Sequence, residues 1–342
     1  MEVKTRMATV HFLNVKNGDC SIIQHNSGRV TMIDVCNASP TEELKEQIIK
    51  AAADLQKGVN GDFRQKLFPV NPVSYLKQRE IASIFRFIIT HPDMDHMDGI
   101  KSVFDAFSPL NFWDHDNNKE MNFEDGSPYD EDDWNFYTLL RDGKPEHDPK
   151  RLTLFSGTAG QYYNQAEGGG QGGDGLTILA PTSGLVTQAC EDKEFNDCSY
   201  VLLYRTGNNK IIFAGDSEDA TWEHILANHG DAVRDVDVLI APHHGRDSGR
   251  DWEFLDVLKP ALTLFGNASS EHLAYQAWWN RGLPIITNNQ ANCIVLNPSV
   301  SPIDVYVTCE QFARLANPYT QYSAFYDAYY WGSAARKKAV GK

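Results

Sequence analysis

Apolar and polar positions along this chain fall into two series that resemble each other. Residues 8–15 alternate as a half-buried strand does, and the turn Lys16-Asn17-Gly18 follows. Asp19-Cys20-Ser21 then opens a strand, Asn26-Ser27-Gly28 supplies a turn, and a return strand from Val30 ends at Asp34. Far downstream, Asp197-Cys198-Ser199 leads into an apolar run at 200–204 and the turn Gly207-Asn208-Asn209. A return strand from Ile211 then ends at Asp216. Each hairpin is followed by helix-compatible sequence and by an apolar strand that runs into a histidine. These are Thr90-His91 in the first series and Ala241-Pro242-His243 in the second. The pattern predicts a duplicated ββαβ unit in an α/β fold, with Asp216 and His243 carried to the rim that also holds His91 through His96. Chance similarity of two short hairpins is the alternative.

Between these series the pattern is less regular. Residues 41–57 read as a helix opened by Thr41-Glu42-Glu43, and 58–75, with Gly58, Gly61, Pro69 and Pro72, as an inserted loop. Residues 99–107 read as a helix whose N-terminus faces the His91 run. A second insertion is expected over 114–175. It begins with nine acidic residues between Asp114 and Asp133, anchored by aromatic side chains, and ends in a glycine-rich stretch at 168–175. That stretch has no strand before it and no helix after it, so it reads as a flexible connector and not as a nucleotide-binding loop. The remainder extends the second series, with a tail over 314–342 that packs a terminal helix or frays. The whole of 1–342 is expected to form a single domain.

The densest chemistry lies at Thr90-His91-Pro92-Asp93-Met94-Asp95-His96-Met97-Asp98-Gly99. A buried strand that ends in His-x-Asp-x-Asp-His delivers imidazoles and carboxylates to a sheet rim. There the carboxylates either face water or neutralise cations. Mixed oxygen and nitrogen donors suit zinc, manganese or iron.

Composition narrows the setting. The chain has 342 residues, a formal net charge of −15 and six scattered cysteines without a C-x-x-C pair, which read as buried free thiols. The charge disfavours a broad basic surface for gripping duplex DNA, yet leaves room for a phosphate substrate at a local cation centre. No apolar run reaches the ~18 residues of a membrane span, and the first ten residues lack a signal-peptide core; no membrane association and a cytoplasmic location are expected.

Four passages carry a resemblance to the metallo-β-lactamase superfamily: Asn14-Val15-Lys16-Asn17-Gly18-Asp19, the motif from His91 to Gly99, Phe213-Ala214-Gly215-Asp216-Ser217, and Ala241-Pro242-His243-His244-Gly245. Within it, the chain looks like the branch containing the hydrolase domain of the bacterial competence DNA-uptake channel and its stand-alone relatives. The resemblance implies an αββα sandwich with one or two divalent metal ions, zinc or manganese, at one edge. It implies His91 and Asp93 as ligands of one ion, with Asp197 or Asn196 beside them, and Asp95, His96 and His243 as ligands of the other, bridged by Asp216. Asp34 is expected to order the loops, Asp95 to orient or deprotonate water, and His244 to orient His243 or act on the leaving group. Arg246 is expected to meet a phosphate or lie on the surface. Two departures stand out: Asp93 occupies the place of the usual second histidine, and no histidine lies near Ser199. The implied activity is metal-dependent hydrolysis of a phosphodiester in nucleic acid or a nucleotide. Hydrolysis of a lactam, lactone, thioester or peptide, or a non-catalytic sensor or scaffold, are the alternatives.

Overall fold

The computed structural model describes residues 7–39, 63–123, 126–143, 149–158, 160–164, 173–268 and 272–336. The helix expected at 41–57 and most of the glycine-rich stretch lie outside these residues. The first series forms β1 (Thr9–Phe12), β2 (Ser21–Gln24), β3 (Val30–Ile33) and β4 (Arg86–Ile88), with helix α1 (Pro72–Gln78) before β4. β5 (Asn111–Asp114) and β6 (Lys150–Thr153) continue the row. α2 (Ile100–Phe107) and α3 (Glu131–Asp142) lie between β4 and β6 in sequence. The second series forms β7 (Leu176–Ala180), β8 (Val201–Thr206), β9 (Asn209–Phe213), β10 (Val238–Ile240), β11 (Leu262–Phe265) and β12 (Ile285–Thr287). Its helices are α4 (Ser183–Asp192), α5 (Asp219–Val233), α6 (Phe254–Leu258) and α7 (Tyr275–Trp279).

The duplication is visible in the pairing. β2 and β3 pair antiparallel and β3 and β4 parallel, while β8 and β9 pair antiparallel and β9 and β10 parallel. Parallel neighbours need a crossover, which α5 supplies in the second half. A six-stranded sheet runs β12-β11-β10-β9-β8-β7. The first half is extended into a ten-stranded sheet by β13 (Ile294–Asn297), β14 (Ile303–Val307), β15 (Tyr322–Ser323) and β16 (Ala328–Ala334), in the order β15-β16-β14-β13-β1-β2-β3-β4-β5-β6. The described part of the tail is therefore neither a terminal helix nor frayed: β16 pairs along β14 and becomes part of the sheet.

Alternation along the strands sorts side chains into layers. Ile33, Ile88, Leu202, Phe213, Ile240 and Leu264 meet in one core between the sheets. Met32 and Phe87 turn to the opposite face and pack with Leu76, Ile100, Val103 and Trp134 of the helices. Leu203, Ile212 and Leu239 pack similarly against Trp222, Phe254 and Trp278. These clusters make an αββα sandwich. No helix among the described residues is long and apolar enough to cross a membrane.

The two segments expected as insertions are tied down more than their composition suggests, and the second contributes β6 to the main sheet. Asn14 is buried and donates to the carbonyls of Gln65 and Phe68 at 2.8 and 2.9 Å, pinning the loop before α1. Asp174, at the end of the glycine-rich connector, is buried against Arg29 and Arg86 at 2.6 and 2.5 Å. The unpaired acid of a flexible linker is here a buried, doubly paired carboxylate.

Candidate metal centre

The centre is assembled from loops at the C-terminal ends of strands in both halves. Asp34 follows β3 in a left-handed conformation, with φ of 56°. Its carboxylate accepts from the Thr90 amide and the Thr90 hydroxyl, both at 2.7 Å, and from His96 Nδ1 at 2.8 Å. This fixes the loop after β4, as the sequence led one to expect. On the helix side, Asp133 of α3 accepts from the Gly99 amide at 2.7 Å and the Lys101 amide at 3.1 Å, capping α2.

The turn after β10 is unusual. His243 and His244 both lie in the left-handed region, with φ of 51° and 57°, a conformation that costs on the order of 1 kcal/mol or more for a residue with a Cβ. Gly245 follows at φ of 85°, and a Cβ there would meet the Phe265 ring at 2.4 Å. The strained turn presents both imidazoles to the cleft. Asp216, also buried, receives them: its Oδ1 lies 3.2 Å from His96 Nε2, and its Oδ2 lies 3.8 Å from His91 Nε2, 3.6 Å from His243 Nε2 and 3.9 Å from His244 Nε2.

The ring orientations follow from the outer partners. His96 Nδ1 faces Asp34 at 2.8 Å, and His244 Nδ1 faces Asp19 at 3.0 Å. Asp34 accepts the His96 Nδ1 proton and turns Nε2 inward, whereas Asp19 stands beside His244 Nδ1 without a hydrogen bond to it. His91 Nδ1 lies 3.2 Å from the Thr90 hydroxyl, whose own proton goes to Asp34, so His91 also keeps a free Nε2 lone pair. His243 is the reverse. Its Nδ1 accepts from Arg250 at 3.3 Å, which places the proton of the neutral ring on Nε2.

A donor set for a cation results. His91 Nε2, His96 Nε2, His244 Nε2 and Asp216 Oδ1 are buried without a hydrogen-bond partner among the described residues. Buried polar atoms are seldom left unpaired, and donors of these types suit a divalent ion. Ligand atoms of His91, His96 and Asp216 lie within 4.8 Å of one another, as do those of Asp95, His96 and His244.

Charge in the cleft points the same way. Burial alone would lower His244, but Asp19 and Asp216 overcome it and raise the ring to about 10. Burial likewise opposes His96, yet Asp216 and Asp34 lift it well above the usual histidine range. Against the upward push of burial, His244 and His96 hold the Asp95 carboxyl below the ordinary range. Fields that protonate imidazoles so readily also draw a metal cation. His243 differs again: burial leads and lowers it to about 4, with Asp216 only partly opposing.

Of the residues singled out from sequence, the cleft gathers His91, Asp93, Asp95, His96, Asp216, His243 and His244, with Asp34 behind them. His244, and not His243, stands in a group of possible ligands, with Asp95 and His96. Asn196 and Asp197 are not brought in. Asp197 Oδ1 accepts from the amides of Glu218 and Thr221 at 3.0 and 3.1 Å, capping α5, and the Asn196 amide donates to Glu218 at 3.0 Å. Arg246 is exposed, and its guanidinium has no bonded partner among the described residues. His272 is also exposed and stays outside the cluster. Sequence reasoning missed Asp19, Lys119 and Arg250. Asp19 had a signal, since it occupies the repeat position of Asp197; the two cations sit in polar loops without any.

No family model matches this sequence, and no curated protein does. Among solved structures, the chain is similar to CmlA, a diiron β-hydroxylase from Streptomyces venezuelae, at 11% identity and a TM-score of 0.44. That match covers 85% of this chain and 54% of the hydroxylase, so the chain spans about half of that protein's length. It is also similar to a diphosphatase of the PhnP family, at 14% identity and a TM-score of 0.37, over 82% of this chain and 94% of that one. A third likeness is to the metallo-β-lactamase SMB-1 bound to 2-mercaptoethanesulfonate, at 12% identity and a TM-score of 0.34, over 71% and 80% of the two chains. At such low identity none of these proteins lends the chain an activity.

Proposed function

We propose that this protein is a metal-dependent hydrolase that cleaves phosphodiester bonds in nucleic acid or nucleotides. The observation that carries the reading is the convergence of three unpartnered imidazole Nε2 atoms and Asp216 Oδ1 in one buried cleft. A divalent ion held by His96 with His91 and Asp216, or with Asp95 and His244, would acidify water and offset charge on phosphoryl oxygens.

The chain's own groups do the rest. Asp34 and Asp19 hold His96 and His244 in the ligating orientation, and Asp95, one-quarter exposed, faces the opening where a water is oriented. His243 keeps its proton on Nε2 through Arg250 and donates it as a hydrogen bond to the oxygen on which charge develops. A phosphodiester is favoured over a neutral ester or amide by a cation at the rim. Arg246 reaches solvent beside the cleft of a chain whose net charge is −15. The resemblance of the His91 and His243 motifs to the competence-channel branch favours nucleic acid among such substrates. Asp216 and Asp95, one carboxylate in each ligand group, favour manganese over zinc.

The test is to strip the protein with chelator, restore manganese or zinc, and assay bis-p-nitrophenyl phosphate, linear DNA and nitrocefin in parallel. Phosphodiester cleavage restored more by manganese is expected. Turnover of nitrocefin alone would move the substrate to an amide, and no turnover with bound metal would favour a scaffold.

A further inference from the structure

Of the two carboxylates in the His-x-Asp-x-Asp-His run, Asp93 is the one that neither ligand group includes. Its Oδ1 is bonded to the Lys119 ammonium, and His91 Nε2 stands 3.7 Å from the same oxygen. Lys119 is only one-fifth exposed and lies 5.4 Å over the ring of Phe195, the residue immediately before Asn196-Asp197. That loop is where a further ligand was expected, and its two polar side chains are turned away to Glu218 and α5. The ammonium fills the space between Asp93 and that loop.

It is held there by construction. The Lys119 amide donates to Asn117 Oδ1 at 3.2 Å, and its carbonyl accepts from Arg141 at 2.9 Å. Arg141 also donates to Asn117 Oδ1 at 3.3 Å, and the Asn117 side-chain amide donates to Tyr137 at 2.6 Å. The acidic insertion thus delivers one cationic side chain into the cleft from a braced loop.

We propose that the centre binds a single divalent ion, grouped around His96, and that the Lys119 ammonium permanently takes the place of a second ion at Asp93. His96 belongs to both ligand groups, and with Nδ1 bonded to Asp34 its single Nε2 lone pair serves one ion, so the two groups are not both filled. The ammonium already neutralises Asp93, the carboxylate that a second ion beside His91 would need.

The proposal rests on the metal-centre reading above, and the test separates the two. The full chain and the variants Lys119→Met, Lys119→Gln and Lys119→Met/Asp93→Asn are chelated, reconstituted with excess manganese and desalted. Bound manganese is counted by mass spectrometry, folding is checked by circular dichroism, and spin coupling is read by electron paramagnetic resonance. One ion per chain is expected in the parent and the double variant. Two ions with a spin-coupled signal are expected in either single variant. Two ions in the parent, or one in both single variants, overturns the proposal while leaving the metal reading intact. No ion in any of the four overturns both.

Discussion

His243 and His244 leave the same turn one residue apart and both face Asp216 Oδ2, yet groups of opposite charge stand behind them. Behind His244 and its neighbour His96 stand carboxylates: Asp19 lies 3.0 Å from His244 Nδ1, and Asp34 accepts from His96 Nδ1. On the His243 side, the groups behind the ligand candidates are cations: Arg250 against His243 and Lys119 against Asp93. The outer partner of a ring, and not the residue type, decides which nitrogen carries the proton. We propose on that ground that His244 ligates and His243 presents a proton. Substitutions can set one against the other.

The largest effect is expected where the sides meet. Asp216→Ala removes the carboxylate that touches all four imidazoles. Both metal content and turnover should fall to background while the circular dichroism spectrum is preserved. A variant that keeps its metal and its rate would show that the cleft's cation sits elsewhere.

Next comes the histidine pair itself. His244→Ala should lose metal, because it deletes a free Nε2 donor. His243→Ala should keep metal and lose about 10²–10³-fold in turnover, the usual cost of removing one donor to a developing charge. Metal analysis beside single-turnover rates checks both. Metal loss in the His243 variant with retention in the His244 variant would restore the assignment that the motif alone suggested.

That exchange shows how much of the centre was legible in the chain. The hairpin repeat and the His-x-Asp-x-Asp-His run placed Asp34, His91, His96, Asp216 and His243 at one rim, because strand-end positions follow from alternation and turns. The layered fold was legible for the same reason. The tautomers were not, since Asp19 and His244 come from opposite halves and meet only through the packing of the two sheets. Lys119 and Arg250 were invisible for a further reason. A single cation in a polar loop has no periodicity, and only the bracing by Asn117 and Arg141 tells it from a solvated one.

The smallest effect tests the repeat directly. Asp19 and Asp197 occupy equivalent positions in the two halves, each before Cys-Ser. The structure gives the first to His244 Nδ1 and the second to two backbone amides at the start of α5. Asp19→Asn should lower metal affinity by about 10–100-fold, the typical cost of losing a carboxylate behind a metal-bound histidine, with little change in stability. Asp197→Ala should do the opposite, removing about 1 kcal/mol of stability as a lost helix cap and leaving metal content at its parent value. Urea titrations of both variants, paired with metal titrations, measure the two quantities independently. A fall in metal affinity for the Asp197 variant would return that residue to the centre and place a ligand on the side assigned here to Lys119.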